Sequence, residues 1–128
     1  MSKQTNPPGA QLPLSPAVFH ILLALADEER HGYGIMQEVE RRTHGAVQLG
    51  PGTLYGAIKR LLTNGLIDEV DERPDLELND ERRRYYRLTD FGIGVLSAEA
   101  ARLDEMVRQA RAKQLLPNPT TNLIGQAA

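Results

Sequence analysis

Basic side chains are concentrated in two stretches of this chain, and their chemistry is that of phosphate binding. The first stretch, residues 41–67, contains no acidic residue and includes Lys59 and Arg60, and the second is the arginine triplet 82–84. Residues 68–81, between them, are strongly acidic. Because salt screens exposed charges over about 10 Å, a local basic surface can bind phosphates although the net charge is −2. The alternative is that these residues form solvated faces with nothing bound.

Other site chemistry has little support in the composition. The chain has no cysteine, so disulfides, thiolate ligands and cysteine nucleophiles are excluded. Its three histidines, His20, His31 and His44, lie at no spacing typical of metal ligands. No nucleophile, base and acid form a recognisable set. We therefore expect no enzyme, no cofactor and no metal site.

The length and composition are those of one globular domain with an appendage. Of 128 residues, 41% are hydrophobic and 25% are charged, which is ordinary for a protein with a packed core. The longest apolar run, residues 17–26, is shorter than the ~20 residues that span a bilayer. No basic region like that of a signal peptide precedes it. We expect a cytoplasmic protein that does not enter a membrane.

The segment LGPGTLYGAIKRL, residues 49–61, predicts a helix with two different faces. Gly50 suits the N-cap, and Pro51 suits the first helical position, where its missing N–H costs nothing. The apolar residues recur at helical spacing on one side. The opposite side carries Gly52 and Gly56, each of which costs about 1 kcal/mol relative to alanine in a helix. Close approach of another body would explain these glycines, and drift at a tolerant surface is the alternative.

The elements before this segment follow from caps and periodicity. The proline-rich residues 1–14 are expected to be a flexible lead-in. Ser15 can cap a first helix that reaches about Asp27 and is apolar nearly all round, so it must be buried on more than one side. The sequence HGYG, residues 31–34, interrupts the chain, and an amphipathic second helix follows to about Thr43.

Two strands and a long helix complete the pattern. Residues 67–72 alternate as an exposed strand would, and residues 82–88 predict a second strand with Leu88 facing inward. Two antiparallel strands after a helix-turn-helix describe a wing. Thr89 can cap a last helix that starts at Asp90.

An apolar heptad seam on the last helix predicts dimerisation. Its members recur at alternating spacings of four and three: Leu96, Ala100, Leu103, Val107 and Ala110. A lone helix could fold back on its own core, but a seam beyond the reach of so small a core favours pairing with another chain.

The predicted fold class is mainly α with a small β-wing, namely a winged helix-turn-helix with a long C-terminal dimerisation helix. The DNA-binding domain is expected at residues 15–89, the dimerisation helix at residues 90–114 and a flexible tail at residues 115–128.

Three motifs, in this order, resemble the PadR family of bacterial transcriptional regulators: HGYGIMQEVE, GPGTLYGAIKRLLTNGLI and RRRYYRLTDFG. The resemblance covers about residues 17–110, and the single terminal helix resembles the shorter-tailed subfamily. It implies a homodimer that binds a roughly palindromic operator in double-stranded DNA as a repressor. It also implies release by a small ligand in some members.

Candidate DNA-binding residues follow because the second helix of a helix-turn-helix enters the major groove with its N-terminal residues against base edges. At this helix the candidates are Gly50, Gly52, Thr53, Tyr55, Lys59 and Arg60. We expect the glycine amides to meet a phosphate, Thr53 and Tyr55 to lie near bases or the adjacent backbone, and the two cations to bind phosphates or guanine edges.

Two further groups of candidates lie outside that helix. Tyr33, which matches the tyrosine of the family's HGY motif, is either a DNA backbone contact or a packing residue. Arg82, Arg83 and Arg84 would reach flanking phosphates or the minor groove from the wing. The alternative for one of these three arginines is an ion pair with the acidic strand opposite.

A ligand chamber between the first and last helices is the remaining expectation. The pocket would be lined by Phe19, Leu22, Leu96 and Leu103, and the first two would also join the heptad seam in the dimer interface. The runner-up function is a ligand-sensing or protein-interaction module without DNA binding, favoured because the acidic residues 68–81 would repel phosphates. The operator, the regulated genes and the effector are not contained in the sequence.

Overall fold

A computed structural model of the chain describes residues 8–70 and 84–118. Its elements are a 3-10 helix Pro8–Gln11, helix α1 Pro16–Ala24, strand β1 Arg30–His31, helix α2 Gly32–Arg42, helix α3 Pro51–Thr63, strand β2 Ile67–Val70, strand β3 Tyr85–Leu88 and helix α4 Asp90–Ala112. This order confirms the predicted mainly helical fold with a small sheet, and it adds the strand β1.

Three helices begin where the sequence predicts. The side-chain oxygens of Ser15 and Thr89 each accept a hydrogen bond from the backbone N–H three residues on, at 3.2 and 2.9 Å. These bonds satisfy amides that the first turn of a helix leaves free. Gly50 is extended before Pro51 and supplies no side-chain cap to α3.

Helix α2 begins earlier than the sequence predicts. The HGYG sequence was expected to precede the helix, whereas Gly32 and Gly34 belong to its first turn. His31 is the N-cap, because its Nδ1 accepts a hydrogen bond from the Gly34 N–H at 2.9 Å. Histidine is not among the usual capping residues, so the signal is easily missed.

The sheet is antiparallel with the strand order β1-β3-β2. Leu88 of β3 lies opposite Ile67 of β2, and Tyr86 of β3 lies opposite Arg30 of β1. Tyr86 is buried and Leu88 packs against the core, which confirms the predicted inward face of β3. Strand β1 thus connects the base of the wing to the start of α2.

The core is formed by all four helices together with β2 and β3. Its largest fully buried apolar side chains are Ile21, Leu22, Ile35, Val39, Leu54, Leu66, Ile67 and Val95. Helix α1 lies against both α2 and α4, so its apolar circumference is buried on more than one side, as predicted. It ends at Ala24, earlier than expected, where the Arg30 Nε donates a hydrogen bond to the free carbonyl at 2.7 Å.

The start of α4 is fastened to the turn that follows α3. The Thr89 hydroxyl donates a hydrogen bond to the Gly65 carbonyl at 2.7 Å. A Cβ atom at Gly92 would overlap the carbonyl group of Leu66, so only glycine allows the two backbones to lie this close. Gly65 itself has a φ of 79°, the left-handed conformation that glycine readily adopts just after a helix end.

Residues 8–14 are folded onto the domain, although the sequence places them in a flexible lead-in. Leu12 and Leu14 pack against the core. The backbone N–H of Leu14 donates a hydrogen bond to Glu99 Oε2 of α4 at 3.3 Å. The physical reason is that α4 offers this segment apolar surface and a buried hydrogen-bond acceptor. Neither contact can be predicted from the composition of the segment itself.

Candidate nucleic-acid interface

Helix α3 has one buried and one exposed face, as its periodicity predicts. Leu54, Ile58 and Leu61 are between 0% and 5% exposed. Thr53 and Lys59 lie on the exposed side. The apolar face therefore fixes the helix in the domain and leaves the polar face free.

The exposed face is sterically open at its glycines. A Cβ atom at Gly50 or Gly52 would meet no described atom within 4 Å. At Gly56 it would meet only Arg60 Nη1, at the ordinary contact distance of 3.8 Å. The packing of the described residues therefore does not require glycine at these positions, and approach by another body stays the predicted reason.

Lys59 and Arg60 are the free cations of this surface. Both are exposed, and neither forms an ion pair in the described part of the chain. Arg60 extends along α3 over Gly56. Within the stretch 41–67, which has no acidic residue, these two cations of α3 have no ion pair among the described residues.

Two other basic residues of this stretch, Arg41 and Arg42, both pair with Glu38. Arg42 Nε lies 3.3 Å from Glu38 Oε2, and Arg41 binds the other carboxylate oxygen. The hydrogen bond from Arg41 lowers the pKa of the Glu38 carboxyl below its usual value, although burial opposes the shift. Glu38 precedes the stretch without acidic residues in the sequence. On the helix, however, it lies one turn from both arginines, so the order of charges along the chain does not reveal the pairing.

Tyr55 packs against α2 as well as facing solvent. A Cβ atom at Gly32 would overlap the Tyr55 ring, so the ring covers the first turn of α2. The side chain still keeps 37% of its surface exposed. Tyr55 therefore joins α3 to α2, a packing role that the sequence did not predict, and retains an exposed edge.

Tyr33 stands at the N-terminal end of α2 with 57% of its surface exposed. Its ring stacks on His31 at 6.5 Å, and the His31 ring meets Tyr85 of β3 edge to face at 5.2 Å. Both alternatives for Tyr33 thus have a structural basis, since the ring packs on one side and is open on the other.

The wing contributes one described arginine of the three predicted. Arg84 forms an ion pair with Glu69 of β2 at 3.1 Å, which is the alternative role foreseen for one of them. Arg82 and Arg83 lie outside the described residues. Arg87, which the sequence did not single out, is exposed on β3 without an ion pair among the described residues.

Comparison with known proteins identifies the family. Residues 21–98 match the transcriptional regulator PadR-like family. The chain belongs to this family. Over 90 residues it is 38% identical to the transcriptional regulator Rv3488 of Mycobacterium tuberculosis, which covers 70% of this chain and 78% of that protein.

Solved structures share the fold of this PadR-like regulator. A PadR family transcription regulator from Clostridium difficile superposes with a TM-score of 0.65 at 22% identity, covering 78% of this chain and 99% of that one. Bacillus subtilis PadR, solved in complex with operator DNA, gives a TM-score of 0.57 at 23% identity. That match covers 67% of this chain and 47% of the Bacillus protein.

Most residues of the predicted heptad seam on α4 of this PadR-like regulator keep accessible surface. Ala100 and Val107 are exposed, and Leu103 and Ala110 are half-buried. Two apolar side chains that the sequence did not single out, Ile93 and Met106, are 51% exposed on the same helix. The seam is therefore available to a partner, and dimerisation stays a prediction.

Leu22 and Leu96 cannot serve as predicted. Leu22 has no exposed surface and Leu96 is 8% exposed, because both belong to the core in which α1 packs against α4 of the same chain. Leu22 therefore offers no surface to a ligand or to a partner, and Leu96 offers little. Phe19 is half-buried against the core, and Leu103 is half-buried on α4.

Two classes of site are absent from the described part of this regulator. Residues 8–70 and 84–118 contain no group of three or more His, Asp or Glu side chains placed to hold a metal ion. Within the same ranges, every helix is too short or too polar to cross a bilayer.

Proposed function

We propose that this PadR-like regulator is a cytoplasmic repressor that binds double-stranded operator DNA through the exposed face of α3. The observation that carries the proposal is that two features occur together on one face of α3. Two cations that form no ion pair among the described residues lie beside glycine backbone that is sterically open. A helix with these features can approach a phosphate backbone closely and neutralise it.

Each exposed residue of α3 has a chemical role in this proposal. The free amides at Gly50 and Gly52 point from the helix N-terminus and suit a phosphate. Thr53 and the exposed edge of Tyr55 are suited to base edges or the adjacent sugars. Lys59 and Arg60 follow further along the helix and supply phosphate contacts or bidentate recognition of guanine.

The proposal includes a homodimer formed through the apolar seam of α4. Ala100 and Val107 would lie at its centre, where their exposed surface would be removed from water. A twofold dimer presents two copies of α3 to DNA, so the operator is expected to be roughly palindromic. Its half-sites would lie about 34–36 Å apart or a multiple of that distance.

The proposal also includes release by a small apolar ligand. Phe19 and Leu103 support it, since both keep part of their apolar surface accessible, Phe19 where it packs against the core and Leu103 on α4. Planar aromatic compounds should raise the melting temperature of the protein if they bind there. A screen in which no compound raises it would contradict a sensor role.

The DNA-binding proposal is tested by replacing Lys59 and Arg60 with alanine. Affinity for operator DNA should fall, and the slope of log K against log salt should decrease by about 0.9 for each phosphate that the variant no longer neutralises. Gel-shift titrations at several salt concentrations, on DNA upstream of the protein's own gene, measure both quantities.

The matched control removes two cations from the end of α4, as Arg108→Ala with Lys113→Ala, and makes the same change in net charge. It should leave the salt slope unaltered if the α3 cations are the ones that contact DNA. A folded Lys59/Arg60 variant with the wild-type slope would contradict the proposal. Wild-type protein that fails to retard the DNA at low salt would instead favour an interaction module without DNA binding.

A further inference from the structure

Glu99 is a buried charged residue that has no part in the proposed DNA contacts. It is 1% exposed on α4. Its carboxylate accepts hydrogen bonds from Arg102 Nε at 2.7 Å, from Arg102 Nη2 at 2.8 Å and from the Leu14 N–H at 3.3 Å. Burying a carboxylate is costly unless it is paired, so its geometry has to be well satisfied. The Arg102 hydrogen bonds lower the pKa of Glu99 against the opposing effect of burial, so it is ionised at neutral pH.

The backbone N–H group that Glu99 binds lies just before the start of α1. Leu14 directly precedes Ser15, the N-cap of α1. Helix α1 packs in turn against α2, the first helix of the helix-turn-helix. The hydrogen bond therefore joins α4 to the point where the chain enters the DNA-binding domain.

Glu99 makes the second of two polar contacts that join α4 to the rest of the domain among residues 8–70 and 84–118. The first is the contact of Thr89 and Gly92 with the turn after α3. Core packing of Val95 and Leu96 already restrains this helix, and two polar contacts at separate points along it define its direction more closely. Seven residues, or about 10 Å of helix, separate Gly92 from Glu99.

The remainder of α4 acts as a lever. From Gly92 to Ala112 the helix is about 30 Å long, so a displacement of about 1 Å at Glu99 becomes about 3 Å at the far end. Val107, an exposed member of the seam, lies in this distal part of α4. A small change in the direction of α4 would therefore move one DNA-binding domain substantially relative to the other.

We propose that Glu99 is a positioning residue, which fixes the angle between α4 and the DNA-binding helices by holding the backbone of Leu14. In the homodimer it thereby sets the separation of the two α3 helices and hence the operator spacing that the protein accepts. This inference rests on the proposed dimer.

The test measures the distance between the two DNA-binding domains. The chain contains no cysteine, so a single Ala46→Cys substitution in the exposed loop between α2 and α3 places one spin label on each protomer. Pulsed electron resonance on the full-length protein then gives the distribution of the label-to-label distance. In that labelled background, Glu99→Ala should broaden the distribution by several Å relative to the otherwise unmodified protein, in line with the threefold lever.

A second pair of variants isolates the hydrogen bond from packing. Leu14→Pro removes the N–H donor together with the leucine side chain, whereas Leu14→Ala removes the side chain alone. The proline variant should broaden the distance distribution, and the alanine variant should not. Glu99→Gln, which keeps an acceptor oxygen for the Leu14 amide, should retain the narrow distribution.

The control on the same helix is Glu105→Ala. Glu105 pairs with Arg108 at the same spacing as Glu99 with Arg102, but the pair is exposed and the Arg108–Glu105 distance is 3.6 Å. A purely stabilising role for Glu99 would lower the melting temperature without widening the distances measured well below it. Equal widths in the parent, Glu99→Ala and Leu14→Pro proteins would overturn the inference while leaving the dimer intact. Absence of any distance between protomers in the parent protein would instead refute the dimer, and the inference with it.

Discussion

At the scale of single residues, glycines in two helices of this protein have opposite physical reasons. A side chain at Gly92 would overlap the backbone of Leu66, which cannot move aside without displacing the end of α3. A side chain at Gly56 would meet only the mobile end of Arg60. Packing therefore explains the first glycine, and the proposed approach of DNA explains the second.

Gly92→Ala is expected to lower the free energy of unfolding by about 1–3 kcal/mol, the usual cost of overpacking a tight contact. Urea denaturation measures the change. Gly56→Ala serves as the matched control and should raise the free energy of unfolding by up to about 1 kcal/mol, because alanine is the better helix former. A Gly92→Ala protein as stable as the wild type would show that the two backbones can separate at no cost.

Gly56→Ala should weaken DNA binding even though it stabilises the fold. The added methyl group would stand between α3 and the groove, and an effect the size of one base contact is about tenfold in Kd. Fluorescence anisotropy with operator DNA measures this affinity. Unchanged affinity in the stabilised variant would argue that α3 does not approach DNA through this face.

At the scale of elements, the buried carboxylate of Glu99 joins α4 to the segment before α1. The pKa of Glu99 is lower in the folded than in the unfolded protein, chiefly because Arg102 donates hydrogen bonds to it. The unfolded state therefore binds more protons in acid, and folding stability is lost as pH falls through the folded pKa. Above the ordinary carboxyl pKa of 4.5 the contribution is fully present.

The pH dependence of unfolding should consequently be steeper in the wild type than in Glu99→Gln. We expect the wild type to lose more stability than the variant between about pH 7 and about pH 3, since the amide cannot titrate. Urea denaturation at a series of pH values gives both curves. Glu38, whose pKa is also lowered, is present in both proteins and cancels in the comparison. Parallel curves would mean that Glu99 gains nothing from its charge.

At the scale of the whole molecule, the length of α4 provides an exposed surface for a second chain. Helix α4 runs from Asp90 to Ala112, and residues 104–109 are exposed throughout. Exposed apolar side chains on such an extension, among them Met106 and Val107, favour a second chain as their cover.

Val107→Glu should dissociate the proposed dimer, because a charge would be buried at the centre of the seam. Ala101→Glu, on a different face of α4, introduces the same charge at an exposed position and should leave the dimer intact. Analytical ultracentrifugation of both variants measures the molecular mass. A Val107→Glu protein that sediments like the wild type would place the dimer interface elsewhere.

Most of the local architecture was predictable because its causes act within one helical turn. Ser15 and Thr89 cap their helices, Pro51 starts α3, and the period of α3 separates its buried from its exposed face. The inward face of β3 followed from the position of Leu88. The motifs carried the family resemblance, which the matched residues 21–98 confirm.

The sequence by itself therefore determined the helices, the wing base and the face of α3 that is free. Only the tertiary structure decided that Leu22 belongs to the core and that residues 8–14 fold onto α4. The physical reason is range. Caps and periodicity depend on neighbours in the chain, whereas burial and the contacts of a distant segment depend on which surfaces the fold brings together.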